Sequence, residues 1–330
     1  MAKKKEAYLS LSAMLRAREP RLLNAERAAR MLDAGSFEEA AKLLTDCGYP
    51  DLSQANAGEI EETLSRRRCQ VLDELEGICP EKAIVDFFRV KFDIHNAKVL
   101  LKSQAMGVSG EALFSKAGRI SPEKLREAWQ EEHLSELPKP FGEALAEAGS
   151  LLARTANPQL ADFVLDKAMF REMLDLAGET DCAFLKGYAR LLIDSANLKS
   201  LVRTARMHKD ADFLREVLLP GGNADADRLR NAGDGEGFAP IFAHTALEQA
   251  ALLGAEAGSG GSLTAFERAC DNAVNAYLRS AKLVSYGPEA VVAYLAAVEG
   301  EITAVRMILT GKLSGIAPET IRERLRDLYA

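Results

Sequence analysis

FDIHNAKVLLKSQ, residues 92–104, sets an acid (Asp93), an asparagine (Asn96) and two lysines (Lys98 and Lys102) among aliphatic side chains. The layout returns in LIDSANLKSLVRTA (192–205), where Asp194, Asn197, Lys199 and Arg203 take the same places, 101 residues on (96 to 197). A third stretch, EGEITAVRMILTGK (299–312), fits with Ala304 at the asparagine position, 107 residues further (197 to 304), Glu301 as the acid and Arg306 as the cation. Leu100-Leu101, Leu201-Val202 and Ile308-Leu309 follow in turn. Recurrence of one pattern at a steady spacing predicts copies of one supersecondary unit, here an anchor helix with its neighbours.

The flanks repeat as well. GRISPEKL (118–125) and GNADADRL (222–229) both run from glycine to leucine with an acid near a helix start, and IAPETIRERL (316–325) matches RISPEKLREA in its Pro-Glu-x-aliphatic-Arg-Glu core. Upstream, FVLDKAMFREML (163–174) and RACDNAVNAYL (268–278) place Asp166 and Asp271 at equivalent distances before the next anchor; TLSRRRCQVLDEL (63–75) fills that slot in the first copy, with Ser65 in place of the aspartate. The expected units are 1–110, 111–215 and 216–330, the last with a C-terminal closing helix. Solenoid repeats run about 20–50 residues and need capping ends. Units of this length therefore predict an all-α, closed, pseudo-threefold set of helical bundles. SPEKL, APETI and YGPEAVV each put proline in a first helical turn with glutamate behind it, where free N–H groups and the positive dipole end favour both.

Composition agrees with helices. Ala, Leu, Glu and Arg are abundant, aromatic residues make up only 6%, and alternating β-branched runs are missing. A net charge of −7, with Lys3-Lys4-Lys5 and Arg66-Arg67-Arg68 as the basic runs, argues against nucleic acid, whose binding needs a basic stripe to displace counterions. Five cysteines, odd in number and never in a CxxC pair, predict neither a zinc site nor a disulfide framework and favour a reducing compartment. The most apolar stretch, AVVAYLAAV (290–298), stops at Glu299, short of the roughly 20 residues a membrane span requires. MAKKKEAYLS has no apolar region behind its lysines and does not read as a secretory signal.

No phosphate-cradling G-x-x-x-x-G-K-[ST], nucleophile elbow or HExxH is present. The glycines of GSGGS and GDGEGF follow helices and read as connectors. His95, His133, His208 and His244 lack metal-ligand spacing, so no catalytic, cofactor or metal residue is expected. The recurring polar feature is the acid followed five residues later by Lys98, Lys199 or Arg306. Five helical residues advance about 500°, so the two ends lie about 140° apart and cannot pair within one helix. Each either meets a neighbouring helix or lines a common surface facing an acidic partner. Lys98, Lys199, Arg306, Asn96 and Asn197 are the candidate protein-interaction residues.

The C-terminal YGPEAVVAYLAAVEGEITAVRMILTGKLSGIAPETIRERLRDLYA resembles the closing segment of the C subunits of V/A-type rotary ATPases, whose eukaryotic equivalents are the d subunits of V-ATPases. FRVKFDIHNAKVLLKSQ is similar to that family's first anchor helix, and YLSLSAMLRAREPRLLNAERAARMLDAGSFEEAAKLL to its opening. The resemblance implies a funnel-like, non-catalytic rotor subunit without cofactors. It would link the central shaft (D/F-type subunits) to the membrane proteolipid c/K ring and transmit torque during ion transport or ATP synthesis. It would be a cytoplasmic, peripheral protein that meets the membrane only through the ring. Without the resemblance, the repeats alone also fit a helical scaffold of another assembly.

Overall fold

Each of the three anchor stretches lies on a long helix, and the third of these opens at a proline, Pro288. The computed structural model describes residues 5–232 and 235–330; Lys3 and Lys4 of the basic run, and Gly233 and Asp234 of the GDGEGF stretch, lie outside them. The first half of the chain holds α1 (Leu9–Arg18), α2 (Ala25–Asp33), α3 (Phe37–Lys42), α4 (Ala57–Ile78), α5 (Lys82–Met106), α6 (Pro122–Gln130), α7 (Lys139–Thr155) and α8 (Pro158–Glu179). Then follow α9 (Ala183–Arg206), α10 (Ala211–Val217), α11 (Ala226–Arg230), α12 (Gly235–Phe238), α13 (Glu248–Gly258), α14 (Leu263–Arg279), α15 (Pro288–Leu313) and α16 (Pro318–Arg324). No strand occurs among the described residues, and the fold is all-α.

Local chemistry sets the helix ends. The Asn56 side chain accepts from the N–H groups of Gly58 and Glu59 while Glu59 reaches back to the Asn56 N–H, a capping box that opens α4. Pro122, Pro288 and Pro318 stand at the first residue of α6, α15 and α16, where a missing N–H costs nothing.

The chain divides into two compact units. One comprises Glu81–Ile193 with Leu219–Gly221. In it α8 packs along α5 and α7, and Phe87, Phe88 and Tyr188 meet with ring centroids 5.3–6.2 Å apart, the edge-to-face and offset arrangements that aromatic quadrupoles favour.

The other unit comprises Met1–Pro80, Asp194–Leu218 and Gly222–Ala330. Its centre is α15, which packs against α1, α2, α3, α4, α14 and α16. Every residue of 290–298 is buried, so the most apolar stretch of the sequence is a core helix, surrounded on all sides as an all-round hydrophobic helix must be. No helix among the described residues is long and apolar enough to cross a membrane.

Candidate functional site

The anchor helices α5, α9 and α15 carry the recurring residues, and each acid does the same job: it holds the loop ahead of a short helix by its backbone. Asp93 Oδ1 accepts from the N–H of Arg119 (2.8 Å) and of Ile120 (3.1 Å), while Oδ2 accepts from Arg119 Nε (2.7 Å). Asp194 Oδ2 accepts from the N–H of Asn223 (3.0 Å) and Oδ1 from that of Ala224 (3.0 Å). Glu301 Oε2 accepts from the N–H of Leu23 (2.7 Å), and its other oxygen accepts from the Tyr49 hydroxyl (2.8 Å). In all three places the next residue or the one after is an N-cap. Ser121, Asp225 and Asn24 accept from the third N–H of α6, α11 and α2.

The third loop is not the one the repeat pattern predicts. IAPETIRERL matches RISPEKLREA in sequence, yet the donor to Glu301 comes from Leu23, near the N-terminus. The helix of IAPETIRERL, α16, has no side-chain cap, and Arg322 within it pairs with Asp33 (2.6 Å).

All three acids are buried. Burial pushes the carboxyls of Asp93 and Glu301 above the ordinary carboxylate range, against the opposing pull of Arg119 on Asp93 and of the Leu23 N–H and Tyr49 hydroxyl on Glu301. Arg119 also reaches Glu172 on α8 (2.7 Å), so the first clasp ties α5, the loop before α6, and α8 together. Gly118 leaves the room for it: a Cβ there would lie 2.4 Å from Asp93 Oδ1 and 3.3 Å from the Asp93 nitrogen. Gly118→Ala is expected to cost about 1–3 kcal/mol through this overpacking. A melting temperature unchanged from wild type would contradict it.

The asparagines are interior. Asn96 Nδ2 donates to Ser115 O and its Oδ1 accepts from Ser115 N, both at 2.8 Å, a reciprocal pair that pins the 107–118 loop to α5. Asn197 is buried on α9, and so is Ala304 on α15, which has no polar group to offer.

The cations reach neighbouring helices. Lys98 Nζ lies 2.6 Å from Asp166 on α8, Lys199 Nζ 2.6 Å from Asp271 on α14, and Arg306 holds Glu61 on α4 through two bonds of 2.6 and 2.9 Å. Asp166 and Asp271 are each the ninth residue of their helix, and the ninth residue of α4 is Ser65. The third acid, Glu61, sits one turn earlier, and the longer arginine fork spans to it bidentately. Glu61 is a functional partner that the sequence reading missed; a charged residue four positions before the vacant slot was the available signal.

The helix ends recur too. α5, α9 and α15 each finish near a residue in the left-handed region, Gly107 (φ 65°), His208 (φ 51°) and Gly315 (φ 69°). Behind each, the N–H of Val108, Lys209 or Ile316 bonds five residues back, to Ser103, Thr204 or Gly311, the six-to-one bond of a Schellman cap. These caps stand at the same 101 and 107 offsets as the anchor residues. A histidine in the second copy hides the cap from a glycine-based reading.

His95 Nε2 meets Leu113 O at 2.8 Å, a loop-pinning contact. Among the described residues no group of three or more His, Cys, Asp or Glu is placed to hold a metal ion. A cleft of about 490 Å³ lies within the Glu81–Ile193 unit, lined by Met106, Trp129, Leu152 and other largely apolar groups. Lys102 is the one ionisable residue of its lining and is already paired with Asp162 at 2.6 Å, so the cleft offers no acid–base couple.

Across residues 11–324 the sequence matches the family described as ATP synthase (C/AC39) subunit. The chain belongs to that family. Relatives within it include the C subunit of the V-type sodium ATPase of Enterococcus hirae, 24% identical over 98% of this chain and 99% of the relative. The C subunit of the A-type ATP synthase of Methanocaldococcus jannaschii is 26% identical over 97% of this chain and 86% of the relative. Its counterpart in the V-type ATP synthase of Thermus thermophilus is 24% identical over 68% and 70%. Membership of the C/AC39 family is also what the closing segment and the first anchor helix imply.

Proposed function

We propose that this chain is a non-catalytic central-stalk rotor subunit of a V/A-type ATPase or ATP synthase. It is the socket that joins the shaft subunits (D/F type) to the membrane proteolipid c/K ring on the cytoplasmic face. The observation that carries this reading is similarity over almost the entire length of both chains to the C subunit of a V-type sodium ATPase. The three sets of clasp, ion pair and helix cap support it mechanically. An adapter that passes torque must not shear, and each set ties an anchor helix to a loop and to a second helix inside a packed interior of low compressibility. On this reading the three bundles are related by a pseudo-threefold and form a funnel-like body.

Purification of the membrane ATPase from the source cells tests the proposal. This chain is expected in the complex, crosslinking to both shaft and ring. Membranes that lack it should hydrolyse ATP in the catalytic head yet fail to move ions. An intact, coupled complex without the chain would overturn the reading.

Lys98, Lys199, Arg306, Asn96 and Asn197 act, in this proposal, inside the bundles. Replacing the three cations together by alanine should lower the stability of the isolated protein by roughly 1–3 kcal/mol, each half-exposed pair contributing at most about 1 kcal/mol after solvent screening. The coupled activity of assembled complexes should be retained. Unchanged stability with lost coupling would instead assign the cations to a partner's acids.

A further inference from the structure

The first two copies share one register. Lys98 meets Asp166 and Lys102 meets Asp162 between α5 and α8. Lys199 meets Asp271 and Arg203 meets Glu267 between α9 and α14, with the cations 101 residues on (98 to 199, 102 to 203) and the acids 105 residues on (166 to 271, 162 to 267). Two ion pairs one helical turn apart fix how each anchor helix lies along its neighbour, so the copies compare position by position beyond them. Three residues past the second cation they part, because the second copy has Arg206 where the first has Ala105. Arg206 Nη1 donates to the carbonyls of Ala257 (3.3 Å) and Gly261 (2.9 Å), on the last turn of α13 and just behind it. The residues 105 positions earlier are Leu152, on the last turn of α7, and Ala156, which ends it.

Ala105, Leu152 and Ala156 all line the cleft of about 490 Å³ in the first copy. The place that a guanidinium occupies in one copy is open space in the other, and its surroundings suit the same group. The last carbonyls of a helix lack intrahelical partners and carry the negative end of its dipole. At the end of α7, Leu152 O accepts from the Ala156 N–H (2.8 Å), and the carbonyls beyond it are those the helix leaves over. Leu101, Met106 and Leu152 offer apolar surface to the aliphatic stem of a long cationic side chain. Trp129 already donates its Nε1–H to Gln104 Oε1 (2.7 Å), so its π-system is what it has left to offer a cation. Lys102 does not oppose one: Asp162 holds it, and Arg203, held by Glu267 in the same manner, stands three residues from Arg206. Met106, on the cleft's lining, is 73% exposed, an apolar side chain that a polypeptide would cover and a free ion would not.

We propose that the cleft between the C-terminal ends of α5 and α7 binds an arginine side chain of a partner protein, in the place that Arg206 fills for the second copy from within the chain. The carbonyl oxygens ending α7 take the guanidinium, and the residues flanking that arginine in the partner cover Met106. Nothing in this assignment depends on which assembly the chain joins.

Trp129 is the single tryptophan of the chain, so its fluorescence reads the cleft directly. Titrating the full chain with acetyl-Leu-Arg-Leu-amide should give a saturable change in emission. The same peptide with citrulline, which keeps the shape and loses the charge, should bind about tenfold or more weakly. Free L-arginine, which covers no apolar rim, should also bind more weakly than the arginine peptide. Ala105→Arg fills the cleft as Arg206 does and should abolish the response; the position is exposed and near a helix C-terminus, where propensity and dipole both accept arginine. Ala153→Lys, exposed on the α7 side, should weaken the arginine peptide and leave the citrulline peptide unchanged. Either variant decides by itself should the other not fold. No saturable change in the native chain, equal affinity for the two peptides, or an undiminished response in a folded variant would overturn the proposal. Free arginine binding as tightly as the peptide would overturn the assignment to a partner protein.

Discussion

Asp93→Ala is expected to remove about 3–5 kcal/mol of stability, read as a drop in the denaturant midpoint of the purified protein. The Asp93 side chain is fully buried, and its loss strands three donors at once: the backbone N–H groups of Arg119 and Ile120, and the guanidinium of Arg119, which is itself largely buried. Glu172 keeps half of the Arg119 charge balanced, which holds the effect inside this range. Asp93→Asn serves as the control, because one amide oxygen still accepts from both backbone donors while the charge on Arg119 loses one of its two carboxylate partners. The asparagine should recover the share due to the loop, and a loss below about 1 kcal/mol for alanine would show that the 118–121 loop is held by Ser115 and Asn96 instead.

The same clasp shows what could be read from sequence. The anchor pattern was visible because its three members lie in unbroken helices, where an acid, a small or amide residue and a cation keep fixed spacing. The match of GRISPEKL with GNADADRL was visible for a similar reason, and Asp93 and Asp194 do hold those two loops. The third loop escaped because a linear comparison searches downstream of each anchor, whereas the donor to Glu301 lies in RLLNAERAARML at the other end of the chain. That segment shares only an N-cap and a buried residue four positions on, Ala28 where the others have Leu125 and Leu229. The destination of the cations was beyond the sequence for a different reason. Helical geometry excluded pairing of Asp93 with Lys98, but which helix supplies the carboxylate depends on packing across 68 or more residues. Replacement of the acid slot by Ser65 was legible; the compensating reach of Arg306 to Glu61 was not.

Glu301→Ala is expected to cost roughly 2–6 kcal/mol, because it leaves two buried donors without acceptors, the Leu23 N–H and the Tyr49 hydroxyl, at about 1–3 kcal/mol each. Tyr49→Phe alone removes a donor and leaves the carboxylate its other partners, and should cost about 1 kcal/mol. In the double variant the hydroxyl is no longer stranded, so the two losses should sum to more than the measured total. A strictly additive cycle would show that the carboxylate and the phenol do not interact. The pH dependence carries a second, independent sign. Burial raises the Glu301 pKa, so the folded protein holds this proton more tightly than the unfolded chain does. The contribution is complete below the ordinary glutamate value of about 4.3 and is lost as pH rises through the raised value. Glu301→Gln does not titrate there. The stability advantage of wild type over Glu301→Gln should therefore widen as pH falls from neutral through that window, and a gap that narrows would mean that the Tyr49 hydroxyl, the Leu23 N–H and Arg67, whose guanidinium lies 4.0 Å from Glu301 Oε1, outweigh desolvation.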